Sequence, residues 1–176
     1  AGFNADEAAI GYNAYSIITT GKDEYGEFLP LSFKSFGDYK LPLYIYLDVP
    51  FVAILGLNEM SVRIPSLLAG IGVVVLIFLI LQKLTGSFYL AIWGMFMAAI
   101  LPWLVIFSRI ALEANLALFL TLAAFYLLIL SQSKKNFLPY SALLLGLSIF
   151  TYNSSRILVL PFLLLTAIFF GRSFAK

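Results

Sequence analysis

The chain has 176 residues, 62% of them hydrophobic and only 11% charged, with a formal net charge of +2 and a mean hydropathy of +0.99. Soluble domains average about 25% charged residues, so this chain lacks the polar surface to cover a water-facing globule, and an integral membrane protein is the class that remains. So small a charge, with no basic stripe alternating with aromatics, excludes nucleic acid as a partner. The absence of Cys and His excludes disulfides, thiol nucleophiles, imidazole bases and soft-ligand metal sites, but leaves room for a carboxylate site holding a hard or borderline ion.

The opening Ala1-Gly2-Phe3-Asn4 has no initiator Met and no signal peptide, so the chain is expected to be an internal piece of a longer protein. Residues 1–40 mix Gly, Asp, Glu, Lys and Tyr and are too polar to cross a bilayer; Asp6-Glu7 and Asp38-Tyr39-Lys40 stand among them. Leu41–Asn58 is apolar but is broken by Asp48 and carries Pro42 and Pro50, which suits either a span or a helix lying at the membrane surface. Five charge-free runs follow: Ile64–Gln82, Ser87–Ser108, Ala114–Ser133, Asn136–Ser155 and Ile157–Gly171. The first four have about the 20 residues a bilayer-spanning helix needs; the last is shorter, with Arg156 and Arg172 placed to snorkel to the interfaces. The expected organisation is an external loop over 1–63 and a transmembrane bundle of about five helices over 64–176.

Sidedness follows from parity. If Leu41–Asn58 does not cross, Lys83, Lys134-Lys135 and Arg172/Lys176 fall on one side, without acids, which is the positive-inside pattern of a cytoplasmic face. Residues 1–63, the Arg109–Glu113 junction and Tyr152–Arg156 then share the external, periplasmic face. Eight of the nine acids lie within the first 59 residues, and the ninth, Glu113, sits beside Arg109 between two apolar runs. Ionisable groups in such a setting mark a functional site by default. Arg109 and Glu113 are four apart, so on one helix they would share a face and pair. The cations Lys40, Arg63, Arg109 and Arg156 facing Asp6, Glu7, Asp38 and Glu113 suit a ligand with a phosphate and a nearby proton to remove, since Arg grips phosphate through its planar fork and Lys adds a point charge.

Plainer readings compete. Asp6-Glu7 fits equally well as an acid pair favoured by a helix N-terminus. Arg63 before Ile64-Pro65 fits a snorkelling flank, and Gly70-Ile71-Gly72 fits close helix packing rather than a nucleotide loop. A transporter or channel would instead place Arg109–Glu113 along a substrate path, with a helix broken near mid-membrane, for which Pro102 and Pro161 are candidates.

The succession GFNADEAAIGYNAYSI, FGDYKLPLYIYL, SVRIPSLLAG, FSRIALEANLALFL and GLSIFTYNSSRILVLP spans nearly the whole chain. In that order it resembles the membrane glycosyltransferases of the GT-C fold, in the branch related to protein O-mannosyltransferases and lipid A aminoarabinose transferases. The resemblance implies an all-α polytopic membrane protein, a GT-C-like bundle with juxtamembrane helices in the first external loop, here lacking a first helix. It implies inverting transfer of a sugar from a polyprenyl-phosphate-linked donor to a protein, lipid or glycan acceptor. Asp6 matches the first acid of the family's Asp-Glu pair and is expected to be the general base, with Glu7 and Glu113 beside it in the catalytic set. Lys40, Arg63, Arg109 and Arg156 are expected to hold the donor phosphate, and Asp38, Tyr39 and Tyr152 to bind substrate. Lys40-Leu41-Pro42 stands where the family has Lys-Pro-Pro-Leu, and Glu113 replaces the usual Asp of an Arg-x-x-x-Asp pattern, which weakens any metal role there. The scheme requires no cofactor, while a divalent cation could be assisted by Glu113.

Overall fold

The computed structural model describes residues 2–35, 37 and 39–174, with residues 165–174 described by backbone alone. Among these, helices α1 (Ala5–Thr20), α2 (Pro42–Leu55), α3 (Glu59–Thr85), α4 (Phe88–Ile100), α5 (Pro102–Arg109), α6 (Glu113–Ser131), α7 (Leu138–Ile149) and α8 (Asn153–Phe174) carry almost all the regular structure. The exceptions are a 3₁₀ turn at Lys135–Phe137 and a ribbon of two short strands, β1 (Phe33–Lys34) and β2 (Tyr39–Lys40). The ribbon is antiparallel and pairs Phe33 with Lys40.

The polar N-terminal stretch is helical because it is capped at both ends. Asn4 accepts a hydrogen bond from the Glu7 backbone N–H at 2.7 Å, the Glu7 carboxylate accepts from the Asn4 N–H at 3.2 Å, and Gly21 closes the helix in the left-handed region (φ 71°). After the ribbon, Pro42 occupies the first turn of α2, where its missing N–H has no partner to lose. α2 does not cross. Near its start the Tyr44 hydroxyl donates to the Val62 carbonyl at 3.0 Å and accepts from the Ser66 N–H at 3.2 Å. Its other end turns through Gly56–Asn58 straight into α3, where Ser61 Oγ donates to the Gly56 carbonyl at 2.7 Å. Both ends of α2 therefore lie beside the beginning of α3, as a juxtamembrane helix requires.

Two helices, α3 and α6, are each long and apolar enough to cross a membrane, and α4 with α5 forms a third candidate span bent by 57°. α3 alone is about 40 Å long, beyond the roughly 30 Å of hydrocarbon. The run Ser87–Ser108, expected to be one span, is bent because Pro102 cannot donate to the preceding turn and holds Leu101 extended (φ −66°, ψ 118°). α7 is cut short at Ile149, and α8 begins at Asn153, so the fourth expected run is likewise divided. α3 buries Val62, Ala69, Val73, Leu76 and Ile80, one face at helical spacing.

The packing reading of Gly70-Ile71-Gly72 holds. A Cβ at Gly70 would sit 2.5 Å from Ser108 Cβ of α5, and one at Gly72 would strike the Phe119 ring of α6. Gly72→Ala is expected to lower stability by about 1–3 kcal/mol, read as a lower midpoint of thermal unfolding in detergent. Gly146→Ala, where a Cβ meets nothing within 4 Å, serves as the control that does not lower the midpoint, since Ala is favoured over Gly in a helix.

Asp48 faces the core from α2. It is 0% exposed, and neither carboxyl oxygen has a hydrogen-bond partner among the described residues. Burial pushes its pKa up to about 7 from 3.8. The folded chain then keeps a proton that the unfolded chain releases, so stability falls as pH rises from the ordinary carboxyl range through about 7. Asp48→Leu is expected to raise the thermal midpoint under alkaline conditions and to flatten its decline across that window.

Candidate active site

The first turn of α1, the ribbon, the start of α3, the α5–α6 junction and the α7–α8 junction meet at one end of the bundle. Long-range hydrogen bonds tie them together: Lys40 to Asp6, Arg63 to Glu7, Ala111 to Glu7, and the Leu43 N–H to the Phe150 carbonyl. Of the ionisable residues that the parity argument gathered on one face, Asp6, Glu7, Lys40, Arg63 and Glu113 are neighbours at that end.

Asp6 and Glu7 are adjacent in sequence but point into different surroundings. Glu7 is 1% exposed and saturated. Arg63 grips it with two nearly parallel bonds, Nε to Oε1 at 2.7 Å and Nη2 to Oε2 at 2.9 Å, while the Ala111 N–H donates to Oε1 at 2.9 Å. The Arg63 bond above all holds the Glu7 pKa down at about 2, with the Ala111 and Asn4 N–H groups adding to it against the opposing effect of burial. The remaining Nη1 of Arg63 reaches Glu59 at 3.1 Å. Glu7 and Arg63 form a clamp in which both Glu7 oxygens accept hydrogen bonds and Nε, Nη1 and Nη2 of Arg63 each donate to a carboxylate. Their chemistry is positional: the clamp fixes the α5–α6 junction through Ala111.

That junction overturns one expectation. Arg109 ends α5 and Glu113 begins α6, with Ile110 extended between them (φ −123°, ψ 155°), so the two do not share a helix face. The ion pairs at this end include Lys40–Asp6, Arg63–Glu7 and Arg63–Glu59. The helix breaks because the Ala111 N–H is captured by Glu7 instead of an earlier turn. Below the break, Asn115 Nδ2 donates to the Ser66 carbonyl at 2.7 Å and Ser66 Oγ to the Phe107 carbonyl at 2.8 Å, stapling α3, α5 and α6 together.

Asp6 instead lines a cleft of about 310 Å³ together with Lys40, Glu113 and Tyr152, over an apolar floor that includes Ile10 and Phe107. Lys40 Nζ lies 2.8 Å from Asp6 Oδ1; the Asp6 side chain is 65% exposed and that of Lys40 only 12%. The cleft therefore offers an accessible carboxylate, an ammonium on a buried stem, a second carboxylate and a phenol. Arg109 and Arg156 are exposed at the same end but do not line it, and Tyr39 lines a separate small depression with Asp23, Tyr25 and Lys34. Asp38 lies outside the described residues. Among the described residues no group of three or more carboxylates converges to hold a metal ion.

The sequence carried unused signals for part of this. Asn4-x-x-Glu7 has capping-box spacing, which would have turned Glu7 towards its own helix terminus. Asn115 and Ser66 stand out only as polar residues inside apolar runs. The broken helix that the transporter reading called for exists at Leu101–Pro102, but the cavity beside it, about 280 Å³, is lined by apolar residues and Ser108, with no charged side chain.

No curated protein and no solved structure matches the chain. A family model described as dolichyl-phosphate-mannose-protein mannosyltransferase matches residues 40–176. The match begins at Lys40, so α1 lies outside it and joins the matched part through the Asp6–Lys40 and Glu7–Arg63 contacts. With that match over most of its length and apolar helices able to cross a membrane, the chain belongs to the dolichyl-phosphate-mannose-protein mannosyltransferase family, membrane glycosyltransferases of the GT-C fold.

Proposed function

We propose that the cleft transfers a sugar from a polyprenyl-phosphate carrier to a hydroxyl of a protein, lipid or glycan acceptor, with inversion, on the external face of the membrane. The observation that carries this reading is the pairing of an exposed carboxylate, Asp6, with a mostly covered cation, Lys40, at 2.8 Å in a cleft at the bundle end. Asp6 takes the acceptor proton while the acceptor oxygen attacks the anomeric carbon; the bond from that carbon to the phosphate oxygen breaks, and its electron pair leaves with the phosphate. Lys40 meets the charge that develops there. Arg109 and Arg156 supply outer positive charge at the same end. Glu113 and Tyr152, which line the same cleft, bind the sugar. Glu7 and Arg63 act through the clamp rather than on substrate. Glu113 is the group that would assist a divalent ion.

The external assignment is supported by the acid-free cations Lys83 and Lys134-Lys135 at the opposite ends of α3 and α6. It is tested in this Cys-free chain with single Cys substitutions at the exposed positions Gly2, Ser154 and Ser133. Gly2→Cys and Ser154→Cys are expected to react with an impermeant maleimide from outside, and Ser133→Cys only after permeabilisation. Labelling of Gly2→Cys and Ser154→Cys from opposite sides would end the reading. Transfer itself is measured in membranes with radiolabelled polyprenyl-phosphate mannose.

A further inference from the structure

We propose that the loop tip Phe28–Leu31 is a membrane anchor, inserted into the lipid leaflet beside α2. The proposal concerns the outer surface of the chain and stands apart from the sugar-transfer reading.

The tip lies between α1 and the ribbon and reads Phe-Leu-Pro-Leu, with no polar side chain. Phe28 is 71% exposed and Leu31 77%. Leu29 is exposed between them in the left-handed region (φ 42°), and only Pro30 is buried. Leucine rarely adopts that backbone conformation, so the fold holds an apolar side chain outward against a local strain. Exposed apolar side chains gathered in this way mark an interaction surface. The loop that carries them is not slack. Every N–H from Asp23 to Glu27 has an acceptor within the protein: the Asp23 and Gly26 N–H groups donate to the Glu27 and Asp23 carbonyls, that of Glu24 to Asn13 Oδ1, and those of Tyr25 and Glu27 to Asp23 Oδ1. The Leu29 N–H donates to the Gly21 carbonyl, and Pro30 has none to satisfy. Such a segment makes little demand on water, as one that meets hydrocarbon must.

What the tip faces follows from α2. The Tyr46 hydroxyl donates to the Pro30 carbonyl at 2.8 Å, and its ring meets Phe33 edge-on at 5.6 Å between centroids. Next to Tyr46, the exposed Leu47, Pro50 and Ile54 form an apolar stripe at helical spacing. Leu47 and Phe51 also line an apolar groove with Leu68 of α3 and Phe119 of α6. Those two residues lie more than a turn inside the crossing helices, past Arg63 and Glu113, so this side of α2 stands at the depth of lipid. The tip is tied to α2 at Tyr46 and continues that lipid-facing surface outward. Its flanks carry Lys22 and Lys34 against Asp23, Glu24 and Glu27, so apolar area and not attraction to anionic headgroups drives the insertion. Lys34 Nζ lies 5.1 Å from the Tyr25 ring centroid, a pairing of ammonium and phenol suited to the headgroup layer. Because β1 begins at Phe33 and pairs with Lys40, an anchored tip also holds the ribbon wall of the cleft at a fixed depth.

The experiment uses this Cys-free chain reconstituted in phosphatidylcholine vesicles, with a nitroxide on single Cys substitutions Phe28→Cys and Leu31→Cys. Leu118→Cys, exposed on the crossing helix α6, gives the lipid reference, and Ser133→Cys, exposed in the turn after it, gives the aqueous one. At each site the collision rate with oxygen, which concentrates in lipid, is compared with that of a water-soluble nickel chelate. Oxygen is expected to exceed nickel at Phe28 and Leu31, with the sign found at Leu118 and opposite to that at Ser133. A ratio like that of Ser133 at either tip position would overturn the proposal. Shielding from both quenchers would overturn it too, since protein would then cover the tip. Both replaced side chains are exposed, so the melting midpoint in detergent is expected to stay in place; should Phe28→Cys lower it, Leu31→Cys decides alone. The measurement requires no transfer activity, so its failure removes the anchor and leaves the transfer reading standing, and loss of that reading leaves the anchor.

Discussion

Asp6→Asn is expected to lower the rate of sugar transfer by about 10²–10⁴-fold, the usual contribution of a positioned general base, while the melting midpoint stays close to that of the unsubstituted chain. The two readouts separate because the Asp6 side chain is 65% exposed and its ion pair with Lys40 contributes little to folding. Asn keeps the shape and removes the proton acceptor, so the loss belongs to the chemical step and is read in single-turnover transfer at saturating donor. Transfer that persists near the original rate would move the base to Glu113, the other carboxylate in the cleft. Glu113→Gln run alongside distinguishes the two.

Glu7→Ala is expected to destabilise the chain by about 2–3 kcal/mol, because it removes two charge-assisted bonds from Arg63, which keeps Glu59, and leaves the buried Ala111 N–H without its acceptor. Arg63→Ala is expected to act on the same scale, by leaving the buried Glu7 carboxylate without its counter-charge. Both are read as large drops in the thermal midpoint, and transfer falls as well, since the clamp sets the α5–α6 junction from which Glu113 projects. A milder form of the experiment uses acid. The Glu7 pKa is held at about 2, below its ordinary 4.5, so its contribution to stability is complete above the ordinary value and is lost as pH falls towards 2. Glu7→Gln is expected to flatten that acid limb, whereas Asp6→Asn leaves it in place. This pair of neighbours is thereby divided into one residue that works on substrate and one that works on the fold.

Hydropathy placed the chain in a membrane, and its helical content, the start of α2 at Pro42 and the close approach at Gly70 and Gly72 all follow from local features: apolar length, proline position and small residues. The order of the five motifs brought out the family that residues 40–176 match. Local features did not reveal which ionisable groups would converge. Helical spacing put Arg109 and Glu113 on one face; the tertiary fold broke the helix between them by giving the Ala111 N–H to a carboxylate 104 positions earlier in the chain. Charge alone made Lys40, Arg63, Arg109 and Arg156 equivalent cations, and contacts across 34 and 56 positions made one of them a cleft ammonium and another the closed half of a clamp. By itself, then, the sequence determined the solvent the chain folds in, the helices it forms and the stock of chemical groups at one end, because apolar length and periodicity act within a few turns. Only the tertiary structure decided which acid stands exposed in the cleft and which is buried as a strut, because that choice depends on which distant backbone and guanidinium donors reach each carboxylate first.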